Sequence, residues 1–207
     1  MLDFAIYAFV TLFVVVDPIA MAPTFLVVTE GMPRDARRSV GIRASIIAAG
    51  ILGGAALVGD RLLAVLEISL PAFRIAGGLL LFWIAAEMVF GVRSRHEGET
   101  AEQAMEERVR NVAAFPLAIP LLAGPGAITA TILLAGQADD HWLMIGVLIA
   151  VVLAVAAACL LTFLAAERIS GLLGMTGNIV LSRLLGVLLA ALAVQYVVDG
   201  IRAIFIG

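Results

Sequence analysis

The sequence predicts an all-α, polytopic membrane protein whose six transmembrane helices form a 3+3 inverted repeat with broken helices one and four. Hydrophobic residues make up 63% of the 207 residues and charged residues only 14%, whereas soluble domains average about 45–50% and about 25%. Six apolar stretches reach the roughly 20 residues that a spanning helix needs. The second half of the chain also resembles the first at a nearly constant offset.

The predicted spans follow one another closely, except in the middle of the chain. They divide it into a first three-helix repeat over residues 1–92, a charged cytoplasmic loop over residues 93–110, and a second three-helix repeat over residues 111–207. The spans run over Phe4–Val28, Val40–Gly59, Pro71–Val92, Val112–Gly136, Trp142–Ala166 and Ile179–Val198.

The first span is interrupted in its middle by Asp17-Pro18 and again by Pro23. Proline lacks an amide donor and disfavours helix at the residue before it. We therefore expect one half-helix to end near Val16 and another to begin at Pro18. Burying an aspartate at the bilayer centre costs roughly 2.5–3.5 kcal/mol. Asp17 thus either caps its own half-helix or faces a polar cavity, where it meets a cationic group or a proton.

Spans three and six each carry an arginine, Arg74 and Arg183, with an acid near the opposite end, Glu87 and Asp199. In one interpretation the arginines extend to the lipid headgroups. In the other, these four residues form ion pairs that gate a central site from each side by turns.

Span four carries no charge, but three prolines and two glycines interrupt it within eleven residues, ending in Gly124-Pro125-Gly126. Irregular backbone cannot face lipid, so it lines a cavity or packs on protein. A half-helix that starts at Pro125 presents free N–H groups and a positive dipole end, which suit a carboxylate. Thr129 and Thr131 follow within two turns; each either adds a hydroxyl contact or bonds back to the preceding turn.

The internal repeat depends on matches at Pro, Gly and charged positions, which are not expected from a shared apolar composition. Three spans per half is an odd number, so the second half crosses the membrane in the opposite sense. Inverted repeats of this kind recur in secondary transporters, with the binding site at the repeat interface. With one short slip, Pro18 aligns with Pro125, Thr24 with Thr131, Asp60-Arg61 with Glu167-Arg168, Arg74 with Arg183, Gly77 with Gly186, and Gly91 with Gly200.

The placement of arginine predicts the orientation. Arginines cluster after spans one and three, whereas the N-terminus and the loop around His141 hold none. The positive-inside rule then places both termini in the periplasm. The two clusters consist of Arg34, Arg37, Arg38 and Arg43, and of Arg93, Arg95, Arg108 and Arg110.

The two breaks together suggest a site for a zwitterion such as an amino acid, with Asp17 and the start of the fourth span's second half-helix at opposite ends. The predicted substrate-binding residues are Asp17, Pro18, Thr24, Gly124, Pro125, Gly126, Thr129 and Thr131.

Several function classes are disfavoured by the sequence. It contains no nucleophile elbow, zinc-protease motif or phosphate-binding loop, and no Cys/His cluster with metal-ligand spacing. A net charge of −3 argues against nucleic acid. We therefore expect no catalytic residue, metal or cofactor. Without an ATP site, transport draws on a gradient of H+ or Na+ or runs downhill.

Two segments resemble the signature of the MarC family: Asp17-Pro18-Ile19-Ala20-Met21-Ala22-Pro23-Thr24-Phe25-Leu26, and the run from Phe115 to Thr129. Family members often carry Asn where this chain has Met21. The resemblance covers the whole chain and implies a bacterial inner-membrane protein, related to a group that contains transporters of small neutral amino acids such as glycine or alanine.

Two alternatives stay open beside this interpretation. One is an exporter of another small metabolite or drug, linked to stress or antibiotic resistance. The other is a membrane scaffold without transport. The expected partners are a small-molecule solute and membrane lipids, and assembly into a homo-oligomer stays open beside them.

Overall fold

The computed structural model describes residues 1–92, 96, 99, 111–138 and 142–205, and every element in these residues is helical. The predicted charged loop 93–110 lies outside the described residues except for His96 and Glu99, as does His141. The helices are α1 (Leu2–Val16), α2 (Met21–Val28), α3 (Arg34–Val65), α4 (Leu70–Phe90), α5 (Ala113–Leu122), α6 (Pro125–Gly136), α7 (Trp142–Leu164) and α8 (Ala166–Phe205).

The helices confirm the prediction of an all-α protein with several membrane spans. In the described residues, 4 helices are individually long and apolar enough to cross a membrane, and the bent pairs α1–α2 and α5–α6 raise the number to 6 if each pair is one span. Large apolar side chains lie exposed on most spans, including Ile46, Trp83 and Leu161. Such an apolar exterior is expected where lipid is the solvent.

Two spans differ in extent from the predicted ones. Helix α3 begins at Arg34 and ends at Val65, so it is longer at both ends than the predicted Val40–Gly59. The added N-terminal turns are polar and the added C-terminal segment begins with Asp60-Arg61, so an apolar-length criterion does not detect them. Helix α8 changes direction at Gly174, which has a left-handed φ of 59°, and its apolar part runs over Thr176–Phe205.

Helix α6 is the centre of the bundle. Most of its residues are buried, and it contacts α1, α3, α4 and α7. Its uncharged sequence fits this position, because a helix enclosed by other helices needs no polar face. Helices α3 and α7 pack together, as do α1 with α7 and α2 with α8.

Helices α4 and α8 run antiparallel and approach closely through glycine. A Cβ atom at Gly78 would lie 2.7 Å from the carbonyl oxygen of Ala193, and one at Gly186 would lie 2.8 Å from the Cβ of Met88. Contacts between small residues drive helix association in lipid, where the hydrophobic effect between helices is absent.

We expect Gly78→Ala to lower the free energy of unfolding by about 1–3 kcal/mol, the usual cost of overpacking. The Ala193 carbonyl belongs to the backbone of α8 and cannot swing aside, so the two helices must separate. Unfolding in mixed detergent micelles measures the change. Gly54→Ala, at a position with no atom within 4 Å, is the matched control; equal stability of the two variants would contradict the close packing.

Arginine side chains cluster on one face of the bundle. Helix α3 starts there and α7 ends there, and Nη1 of Arg37 pairs with Oε1 of Glu167 at 3.0 Å. We call this side, with Arg34, Arg37, Arg38 and Arg168, the basic face. Because α4 runs back to the side where α3 began, its end near Phe90 lies at the basic face too.

Candidate functional site

The second helix break is built by proline and glycine. Helix α5 has π-helical turns, in which an N–H donates to the carbonyl five residues earlier. The Ala123 N–H, for example, donates to the Ala118 carbonyl at 2.8 Å. Cis peptide bonds precede Pro116 and Pro120. Helix α6 then begins at Pro125, as predicted, at an angle of 57° to α5.

A cavity of about 200 Å³ lies at the N-terminus of α6. Three of the predicted residues, Gly124, Pro125 and Gly126, lie on its wall. The remaining wall comes from the end of α1, from α4, from α5, from Ala127 and from the segment after α4: Val15, Ile84, Glu87, His96, Pro120, Leu121 and Leu122.

The start of α6 makes the inner end of this cavity favourable for an anion. Its N-cap, Gly124, has an extended backbone and no side chain, so it offers no capping acceptor to the first N–H groups of the helix. The helix dipole adds positive potential at the same point. The geometry therefore suits a carboxylate or another small anion.

Two polar side chains of the cavity wall, Glu87 and His96, belong to the end of α4 and the segment after it, on the side of the basic face. Oε1 of Glu87 accepts a hydrogen bond from Nε1 of Trp83 at 3.0 Å and lies 3.9 Å from Nδ1 of His96. His96 is largely exposed, whereas Glu87 is mostly covered. An acid and an imidazole are thus part of the wall of an otherwise apolar cavity. The sequence analysis did not place either group at this site.

The first break is organised by Asp17, which is 1% exposed. Helix α1 ends at Val16, as predicted, and Asp17 adopts a left-handed backbone with φ 51°. Its Oδ1 accepts from the Ala20 amide at 3.4 Å, and its Oδ2 accepts from the Ser182 hydroxyl at 3.1 Å. The prediction that the next half-helix begins at Pro18 is wrong: a turn precedes α2, which begins at Met21 at 48° to α1.

Ser182 is therefore a site residue that the sequence analysis missed. It is a buried hydroxyl on α8, next to Arg183, and it links the acid of the first half of the chain to the second half. A lone hydroxyl in an apolar span was the available signal, but many such hydroxyls only bond back to their own helix.

The two helix breaks lie close together but do not line the same cavity. Val15 lies on the cavity wall and faces Gly126, where an added Cβ would lie 3.5 Å from Val15 Cγ1. Asp17 and Pro18 are buried and are not among the residues that line the cavity. That Asp17 and the N-terminus of α6 bind the two ends of one zwitterion stays a prediction.

The three predicted threonines are buried in the bundle. The Thr131 hydroxyl donates to the Ala127 carbonyl at 2.7 Å, which is the back-bonding alternative. The methyl group of Thr129 faces Gly77 on α4. Thr24 is buried on α2, and none of the three lines the cavity.

The predicted gating pairs are not formed among the residues that the structure describes. Arg74 lies beside Gly200, and Arg183 lies beside Gly91. Glu87 instead meets Trp83 and His96, while Asp199 accepts from Gln195 at 2.8 Å. The gating role of these four charged residues stays a prediction.

Comparison with known proteins identifies the family. The model of the MarC family integral membrane proteins matches residues 2–205. A UPF0056 membrane protein of Methanocaldococcus jannaschii is 37% identical, over 97% of both chains. The UPF0056 membrane protein YhcE of Escherichia coli is 35% identical over 99% of this chain and 96% of its own. YvbG of Bacillus subtilis is 34% identical over 99% of this chain and 97% of its own.

No solved structure matches the chain. The family match extends over both helix breaks and all eight helices. The chain therefore belongs to the MarC family of integral membrane proteins.

Proposed function

We propose that the chain is a secondary transporter of small neutral amino acids, such as glycine or alanine, across the bacterial inner membrane. The observation that carries the proposal is the small cavity at the N-terminus of α6. A broken span with an anion-attracting half-helix inside the membrane is a recurrent transporter feature. Outside such a site, irregular backbone at this depth would be costly.

The size of the cavity favours a small solute over a drug. Its volume of about 200 Å³ lies below the roughly 300–1,000 Å³ of pockets for drug-sized ligands. Its walls are mostly aliphatic, and none of the arginines among the described residues lines it. These properties suit a solute whose carboxylate meets the start of α6 and whose side chain is short.

An inverted repeat supplies the symmetry that such a transporter needs, and we include it in the proposal. Two features support it. Glu67 and Gly174 are equivalent under the offset that aligns Pro18 with Pro125, and both have left-handed backbones, with φ of 55° and 59°. Arg74 faces Gly200 while its repeat partner, Arg183, faces Gly91, the repeat partner of Gly200.

The orientation in the proposal follows from the basic face. Arginine-rich segments stay on the cytoplasmic side, so the side of the cavity with Glu87 and His96 faces the cytoplasm and both termini are periplasmic. Asp17 is the candidate site for coupling. Its carboxylate lies beside the C-terminal end of α1, where the helix dipole is negative, and this arrangement suits H+ or Na+.

Uptake by the purified chain in proteoliposomes tests the proposal. We expect saturable uptake of labelled glycine and alanine, little uptake of leucine, glutamate or lysine, and stimulation by either a proton or a sodium gradient. Flux of a drug panel without amino acid flux would favour the exporter alternative. Absence of all flux from correctly inserted protein would favour the scaffold alternative.

A further inference from the structure

A second, larger cavity lies at the basic face and has no part in the proposed transport site. It has a volume of about 640 Å³ and lies where the start of α3 meets the junction of α7 and α8. Four arginines line its rim: Arg34, Arg37, Arg38 and Arg168. We call this cavity the basic groove.

The groove has a surplus of positive charge. Arg37 is engaged in structure, because Nη1 pairs with Glu167 at 3.0 Å and Nε donates to the Thr29 carbonyl at 3.2 Å. Among the lining residues, Arg34, Arg38 and Arg168 then face one further acid, Asp35. The chain as a whole is acidic, at −3, so this concentration of cations is local.

The start of α3 adds to this potential. The helix begins at Arg34 after Pro33, and no side chain caps it. Its first N–H groups and its dipole favour an anion at the rim. Guanidinium groups add paired donors that match phosphate oxygens. Two independent features of the groove thus select a phosphate-type anion.

The floor of the groove is apolar. Phe25 and Phe163 are both 3% exposed and stack with ring centroids 4.4 Å apart. Gly41 faces Phe163, where an added Cβ would lie 3.4 Å from the Phe163 Cβ. A small hydrophilic anion gains nothing from such a floor.

Leucines continue this apolar surface to the outside of the bundle. Leu161 and Leu164 line the groove and are 66% and 52% exposed. Both lie on the last turn of α7, which is followed in the chain by the groove residues 165–168. The groove therefore combines charged groups that suit a phospholipid headgroup with exposed leucines that suit its acyl chain.

We infer that the basic groove binds an anionic phospholipid. Its phosphate lies among Arg34, Arg38 and Arg168, and an acyl chain runs along Leu161 and Leu164. Basic pockets between helices at the cytoplasmic side of a membrane are suited to such headgroups. The bound lipid would join α3, from the first half of the chain, to α8, from the second.

The test measures lipid binding to the full chain by native mass spectrometry in a neutral detergent. The probes are phosphatidylglycerol, phosphatidylcholine and inorganic phosphate. The groove variant is R34Q/R38Q/R168Q. Its matched control is R43Q/R61Q/R202Q, which removes the same charge at exposed positions that do not line the groove.

We expect the unaltered chain to bind phosphatidylglycerol in preference to phosphatidylcholine. The groove variant should bind phosphatidylglycerol roughly a hundredfold more weakly, about fivefold for each arginine, and the control should stay within about twofold of the unaltered chain. If the groove variant does not fold, R38Q against R43Q gives the same comparison at about fivefold.

Three results would overturn the inference. Equal weakening in the control would mean that total charge, not the groove, attracts the lipid. Equal binding of phosphatidylcholine would remove the role of headgroup charge. Binding of inorganic phosphate with full displacement of phosphatidylglycerol would mean that the site takes a free anion.

Discussion

Gly126→Ala is expected to reduce amino acid uptake by roughly tenfold to a hundredfold, the range in which one added carbon changes selection in a tight pocket. A Cβ at this position would collide with the Cδ1 atom of Ile84 and lie 3.6 Å from Leu81 Cδ2. Ile84 is itself a wall residue. The methyl group and the displaced isoleucine both reduce a cavity of only about 200 Å³.

Substitutions at two other glycines distinguish an effect on the cavity from an effect on folding. Gly146→Ala, in a helix position with no atom within 4 Å, should leave uptake unchanged. Gly124→Ala should lower the stability of the chain, because its Cβ would collide with the backbone carbonyl of Pro120. Uptake at the unaltered rate by correctly inserted Gly126→Ala protein would rule out this cavity as the solute site.

Asp17→Asn is expected to abolish coupled uptake while the free energy of unfolding changes by about 1 kcal/mol or less. Asparagine tolerates the left-handed backbone and keeps an acceptor oxygen, but it carries no charge. Asp17→Ala should instead cost about 3–8 kcal/mol, the sum over one strained residue and two buried groups. It strains the backbone by roughly 1–2 kcal/mol and leaves the Ser182 hydroxyl and Ala20 amide without their acceptor, at about 1–3 kcal/mol for a buried group.

Both quantities are measured on the same preparations, by unfolding in mixed micelles and by flux in proteoliposomes. Asp3→Asn is the matched control, since Asp3 is an exposed acid in the first turn of the same helix. Full coupled uptake by Asp17→Asn would reduce Asp17 to a structural residue that closes the turn after α1.

The broken helices could be predicted because their causes are local. Proline after Asp17 and after Gly124 removes a helical hydrogen bond at that point, whatever surrounds it. The start of α2 could not be placed as well. The left-handed turn at Asp17 uses Pro18, Ile19 and Ala20 before helical geometry resumes at Met21.

The partners of the site residues could not be predicted, because they come from distant parts of the chain. Ser182 bonds to Asp17 across 165 positions. His96 reaches Glu87 from a polar segment that, in sequence, looks like a solvated connector. Such pairings depend on how whole helices pack, and one sequence contains little information about that packing.

Helix α3 has a consequence for the surrounding bilayer. Its 32 residues extend about 48 Å at about 1.5 Å per residue, well beyond a hydrocarbon layer of about 30 Å. Such a helix must tilt, protrude or stretch the lipid around it, and each response costs free energy that depends on membrane thickness. A thicker membrane would accommodate more of α3 at a smaller tilt. Bilayer thickness should therefore change the tilt of this helix and of the helices that pack against it.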